Sequence, residues 1–158
     1  AFVSRLLFVF LALPLTNTAF ADEIRQAGNL GVGLGGGLGV SGVSAKYFLG
    51  DQHAVQGVVG YWGAGRDSSG LGVSADYLLE MPTIAETDPV NIGWNLGVGG
   101  AVGAGDALFV GASGIAGLEF NFNPAPIDIV LEYRPGVAIL PDVGADLVNF
   151  NGHIRYYF

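Results

Sequence analysis

From Leu71 to Met81 the chain alternates without a break: Leu71, Val73, Ala75, Tyr77, Leu79 and Met81 fall on one parity, Gly72, Ser74, Asp76 and Glu80 on the other. A period of two belongs to a strand, whose successive side chains point to opposite faces; a helix would scatter these residues around its circumference. The pattern recurs. Leu30, Val32 and Leu34 oppose Gly31, Gly33 and Gly35, and Val43, Ala45, Tyr47 and Leu49 oppose Gly42, Ser44 and Lys46. Val55, Val59 and Tyr61 oppose Gln56 and Gly60; Ile92, Trp94, Leu96, Val98 and Val102 oppose Gly93, Asn95, Gly97 and Gly99. Val110, Ala112, Ala116, Leu118, Phe120 and Phe122 oppose Gly111, Ser113, Gly117 and Glu119, and Ile129, Leu131 and Tyr133 oppose Glu132 and Arg134. In the closing "NFNGHIRYYF", Phe150, Gly152, Ile154, Tyr156 and Phe158 share one face, Asn149, Asn151, His153, Arg155 and Tyr157 the other. These make eight strands. Their short connections, such as "GDQ", "GAGRDSSG", "NPAPI" and "LPDVGADL", predict an antiparallel meander rather than helical crossovers.

Eight up-and-down strands close in two ways. A lipocalin-like calyx is apolar inside and soluble, whereas a transmembrane barrel is apolar outside and polar or small inside. The polar parity here is dominated by glycine, of which the chain has 27, while charged residues are only 13%. A solvated surface would be rich in Lys, Glu and Thr, so a crowded lumen accounts for that face better. The expected fold is therefore all-β, an eight-stranded antiparallel up-and-down transmembrane β-barrel with short loops. Tyr47, Tyr77, Trp94, Phe120 and Phe122 lie on the apolar face and would form an interfacial aromatic girdle. The calyx alternative requires Tyr47, Trp94 and Phe120 to point inward.

Residues 1–21 read as a secretory signal peptide: Arg5, then the apolar run Leu6 to Leu15, then Ala19-Phe20-Ala21 as a small-x-small cleavage pattern. The barrel domain is expected over residues 22–158. Without cysteine the chain has no disulfide, thiolate metal site or cysteine nucleophile. A net charge of −8 with six Lys plus Arg excludes nucleic acid as an expected partner.

The lumen parity carries the candidate polar network: Lys46, Gln56, Asp76, Glu119, Glu132, Arg134, His153 and Arg155. A last hairpin folded symmetrically about "VGAD" sets Glu132 opposite Arg155 and Arg134 opposite His153, and the earlier turns put Lys46, Gln56 and Asp76 in one lateral row. Such a network either plugs the barrel or gates it. Gly31 to Gly36 match G-x-G-x-x-G literally, but strand alternation continues where a dinucleotide site needs a helix. His53 and His153 lie on different strands without a ligand cluster, and no base or orienting acid is in view for Ser44, Ser74 or Ser113. No cofactor or metal is expected.

With these features the chain resembles the small eight-stranded outer-membrane β-barrels of Gram-negative bacteria, in the style of the OmpA transmembrane domain and OmpX. More narrowly, "GLGVSGVSAKYFLGDQHAVQGVVGYW" and "PAPIDIVLEYRPGVAILP" resemble segments of a group of small uncharacterised outer-membrane barrels, through Lys46-Tyr47, Asp51, Pro124-Ala125-Pro126 and Glu132. The resemblance implies the bacterial outer membrane, contact with its lipid, and recognition by the barrel-assembly machinery of a C-terminal pattern that Phe150, Ile154, Tyr156 and Phe158 match. Gly152 sits one residue from the glycine of the stricter pattern. The expectation is a monomeric, non-catalytic barrel with a structural or membrane-integrity role. The alternatives are a small-solute or ion leak gated by lumen charge pairs, and a lipid-modifying barrel enzyme.

Overall fold

The computed structural model describes residues 24–63, 69–122 and 124–158. The expected signal peptide, Asp22, the centre of "GAGRDSSG" and Asn123 lie outside the described residues. Eleven strand segments follow one another: β1 Leu30–Gly36, β2 Val40–Phe48, β3 His53–Trp62, β4 Gly70–Glu80, β5 Ala85–Glu86, β6 Val90–Gly105, β7 Phe109–Phe122, β8 Ile127–Tyr133, β9 Gly136–Leu140, β10 Gly144–Asp146 and β11 Phe150–Tyr157. All pair antiparallel. The ring runs β1-β2-β3-β4-β6-β7-β8-β11 and closes where β11 pairs with β1. This is a closed eight-stranded antiparallel barrel.

Eleven segments fill eight places because three wall strands are interrupted. β5 continues the place of β4 beside β6, β9 continues β8 beside β7, and β10 continues β11 beside β9. Two of these breaks fall at Pro82 and Pro135, which have no N–H to give the ladder. The ladder resumes at once: Ile84 N–H donates to Ile92 O at 2.8 Å, and Gly114 N–H to Pro135 O at 3.0 Å. The connection "PTIAETDPV" therefore carries a short strand, and the reversal "LPDVGADL" is the tip of a hairpin, β9–β10, that rises beyond the wall.

Parity decides inside from outside. Even residues of β2, β3, β4 and β8 and odd residues of β1, β6, β7 and β11 face the lumen, and the deeply buried polar side chains sit on these positions. The opposite parity presents Val43, Val59, Leu71, Val73, Val98 and Val102 to the surroundings. Tyr47 and Trp94 are exposed on this outer face and Phe120 sits on it partly buried, so the calyx arrangement is overturned.

Two apolar clusters cap the lumen. At the near end, where residues 24–29 enter, Ile24, Phe48, Ala54, Leu78, Ile115 and Tyr157 pack together. At the far end Leu38, Val40, Val58, Trp62 and Ala101 do so, with Phe109 against them. Trp62 and Phe109 stack with ring centroids 5.3 Å apart and planes 19° off parallel, a pair that contributes about 0.5–1.5 kcal/mol beyond its buried area.

Close approach explains part of the glycine content. A Cβ at Gly33 would lie 1.8 Å from Ile154 O and 2.8 Å from Arg155 Cα, both backbone, at the seam where β1 meets β11; at Gly144 it would meet nothing within 4 Å. Gly33→Ala should therefore destabilise the refolded barrel by about 1–3 kcal/mol, whereas Gly144→Ala should stay within about 0.5 kcal/mol of the parent. Urea unfolding read by the heat-shifted gel band checks both, and equal effects would remove close packing as the reason for glycine at the seam.

Candidate functional site

The lumen gathers charge because strand parity leaves it nowhere else to go. Taking an ion out of water costs several kcal/mol even after relaxation, so each one needs a partner held in good geometry. Two hydrogen-bonded clusters supply the partners.

The nearer cluster centres on Lys46, whose ammonium contacts Glu80 and Glu119 and lies 4.9 Å from the centre of the Phe48 ring. Asn95 Nδ2 donates to Glu119 Oε1 at 3.0 Å. Arg25, which precedes the first strand, reaches in from the near end. Its Nη2 lies 2.6 Å from Glu119 Oε2 and 3.4 Å from Glu80 Oε2, and its Nη1 donates to Met81 O at 2.6 Å. Burial alone would pull the Arg25 guanidinium below its ordinary range, but Glu119 and Glu80 more than offset that and hold it above. Two carboxylates thus face two cations.

The second cluster spans β2, β3, β4, β8 and β11. Arg155 Nε and Nη2 donate to the two Asp128 oxygens at 3.1 Å each, and Tyr157 Oη donates to Asp128 Oδ2 at 2.6 Å. Arg155 Nη1 also donates to Gln56 Oε1 at 2.9 Å. Gln56 Nε2 passes the connection to Asp76 Oδ2 at 3.0 Å and Glu132 Oε1 at 2.7 Å. Arg134 bridges Asp76 at 2.5 Å and Glu132 at 3.2 Å. Three carboxylates here face two guanidinium groups and the His153 ring.

His153 completes a line of three side chains. Its Nδ1 is 2.8 Å from Ser44 Oγ and its Nε2 is 3.1 Å from Glu132 Oε2. The residue types are those of a nucleophile, base and orienting acid. However, Ser44 is fully buried and Arg155 Nη1 lies 3.5 Å from its hydroxyl. The three side chains lie enclosed in the lumen and link β2, β11 and β8. Ser113 Oγ accepts from Arg134 at 3.4 Å, while Ser74 packs against Gly37.

Lys46, Gln56 and Asp76 lie opposite one another across β2, β3 and β4, although Lys46 turns away toward Glu80 and Glu119. The expected last-hairpin pairs do not form. Arg155 faces Asp128, His153 faces Val130, and Glu132 faces Asn151. The cause is the turn: Gly144 pairs with Ala138, so the chain reverses at Pro141 rather than between Val143 and Gly144. Proline at that point cannot extend a ladder and favours the turn. Glu132 and Arg155 still share the lumen, connected through Gln56 and through His153 with Ser44, and Arg134 meets His153 indirectly, with Glu132 between them.

Sequence reasoning missed Asp128, Glu80, Asn95, Tyr157 and Arg25 as network members. Parity carries a signal for Asp128, four residues before Glu132 on the same face, and for Glu80 and Tyr157. Arg25 lies outside every alternating run and had none.

On the outer face Tyr47, Tyr77 and Trp94 are exposed, and Phe120 and Phe122 share their parity, partly buried. The Tyr77 hydroxyl meets His53 Nδ1. Phe150, Ile154 and Phe158 are exposed on the same wall, with Phe150 5.4 Å from the Tyr133 ring and Tyr156 5.1 Å from Phe158. No protein-family model, curated protein or solved structure matches the chain.

Asp128→Ala and Arg155→Ala should each lower the unfolding free energy by about 3–5 kcal/mol, the cost of stranding one partner of a buried pair. The double variant should lose less than the sum, by about 0.5–3 kcal/mol. Equilibrium unfolding of the four proteins of the cycle checks the coupling, and additive losses would remove the pair from the network. Glu132→Ala with Arg155→Ala should couple more weakly, since the two side chains touch only through intermediaries, Gln56 on one side and His153 with Ser44 on the other.

Proposed function

We propose that this chain is a monomeric, non-catalytic β-barrel of the bacterial outer membrane with a structural, membrane-integrity role and a lumen held shut. The observation that supports the reading best is the inversion of the barrel: apolar side chains on the outer wall, paired charges inside. In water that arrangement forfeits the hydrophobic driving force, while in lipid it is the stable one. Closure supports it too, since a spanning structure in hydrocarbon must pair every backbone amide. Among the described residues no helix is long and apolar enough to cross a membrane, which says nothing against strands. Outer-membrane lipid and, during biogenesis, the assembly machinery are the partners this reading implies, and it needs no cofactor.

A conducting lumen is the competing role. Eight strands enclose an interior that side chains just fill, both mouths are capped by apolar clusters, and the charges between them hold one another. Those features favour a plug. The enclosed Ser44 argues likewise against a lipid-modifying enzyme.

Two measurements test the reading. The protein refolded into lipid, with a heat-shifted gel band confirming the closed barrel, should leave a planar bilayer silent; discrete current steps would replace the plug with a leak. Val98, 65% exposed on the outer wall, separates lipid from water. In a soluble protein Val98→Arg would change stability by less than about 0.5 kcal/mol, whereas in a bilayer it should cost about 2–4 kcal/mol near the midplane. Unchanged folding of that variant into vesicles would sink the membrane assignment.

A further inference from the structure

The nearer charge cluster is incomplete without a group that no barrel strand provides. Lys46 neutralises one of the two carboxylates, Glu80 and Glu119. The second positive charge is Arg25, from a short leader that folds back into the mouth. Gly28 permits the fold with a φ of +91°, a conformation that L side chains rarely adopt. Its N–H donates to Phe48 O at 2.9 Å, Phe48 N–H donates to Asn29 O at 3.0 Å, and Asn29 Nδ2 donates to Ile24 O at 3.2 Å. Ile24 is thereby buried to 2% exposure among the near-end apolar residues.

The seat under Arg25 is shaped for a planar cation. Gly93 forms its floor: a Cβ there would lie 2.1 Å from Arg25 Nη2 and 2.8 Å from Cζ, with no other neighbour that close. The rim offers a carboxylate oxygen of Glu119, one of Glu80, and the Met81 carbonyl, so acceptors meet both terminal nitrogens of the guanidinium. That matches the forked donor geometry of guanidinium better than a spherical ammonium. The leader is held by side-chain contacts and the hydrogen bonds around Gly28 rather than by a strand ladder, and segments outside the ladder open at lower cost than the wall.

The geometry points to a guanidinium-binding seat at the near mouth that the chain fills with its own Arg25, making residues 24–29 a tethered stopper which a free guanidinium ligand displaces. The inference rests on the closed-lumen reading and deepens it: the near-end cap that the wall residues begin is completed by a removable segment.

The chain has no cysteine, so Ile24→Cys in the full protein gives a single reporter whose thiol is covered while the stopper is seated. Its reaction with a water-soluble maleimide should be slow in the refolded barrel, and Gln26→Cys, at an exposed position, should react fast throughout. Millimolar methylguanidinium should speed labelling of Ile24→Cys by about tenfold, the population change that replacing one charge-assisted hydrogen bond produces. Sodium chloride and tetramethylammonium at the same ionic strength should not. Gly93→Ala in the Ile24→Cys protein should label fast with no addition, because its methyl displaces only the flexible end of Arg25 and the wall is untouched.

Equal acceleration by all three salts would overturn the seat and leave an ordinary screened ion pair. Slow labelling of the Gly93→Ala protein would overturn it as well, and fast labelling of Ile24→Cys in plain buffer would overturn the stopper. The heat-shifted band of each sample keeps these results apart from a failure of the closed barrel, which would abolish the shift and take the inference with it.

Discussion

The pairing of β11 with β1 carries the rest of the structure. Until Gly31 to Gly35 meet Tyr157 to His153, the chain is a curled sheet with two open edges and no inside. Once they meet, every second side chain is enclosed, and a set of residues that would otherwise be solvated becomes a lumen. The seam needs close contact, which is why β1 alternates glycine with apolar residues: the inward positions make room for Arg155, His153 and Tyr157, which β11 delivers opposite them. The largest lumen side chains thus sit beside the smallest wall.

Enclosure then dictates the chemistry. The buried ions are tolerated because they are grouped into clusters whose charges answer one another across strands far apart in sequence: Lys46 with Glu119, Arg134 with Asp76, Arg155 with Asp128. The Lys46–Glu119 and Arg134–Asp76 contacts reach across the interior, Arg155 with Asp128 reinforces the adjacent β8–β11 pairing, and the ladder ties the strands round the circumference. A buried pair adds little net stability over a well-packed apolar core. Its stronger effect is on specificity, since a one-residue slip of a strand that carries lumen charges, such as β2, β4, β7, β8 or β11, would turn them outward and strand their partners. The polar filling acts as a register lock.

Much of this was legible in the sequence. Strict alternation from Leu71 to Met81 announced both the strand and its two faces, and the glycine-rich polar parity announced a crowded interior. The lateral row Lys46, Gln56 and Asp76 followed from tight turns whose centres composition marks. The last hairpin was misread because "LPDVGADL" holds two turn signals, and tertiary pairing of β9 with β7 selected the proline one. The shift of centre preserved parity, so the right residues entered the lumen with the wrong partners. Arg25 was illegible for another reason: its place depends on a charge deficit that exists only after four strands have brought Lys46, Glu80, Asn95 and Glu119 together.

That deficit bears on how the two ends of the barrel differ. At the far end the cap is made by wall residues and the tight β1–β2 turn: Val40, Val58, Trp62 and Phe109 all belong to strands, so it opens only if the sheet itself deforms. At the near end the wall contributes Phe48, Leu78 and Tyr157 but leaves a carboxylate unanswered, and the closure is finished by a leader held through the Arg25 ion pairs, the buried Ile24 and the hydrogen bonds around one φ-positive glycine. Apolar caps at both ends thus differ in what holds them. The proposed stopper puts the weaker closure at the near end, where displacing the segment breaks the Arg25 pairs and the Ile24 packing but leaves intact the ladder on which the barrel depends.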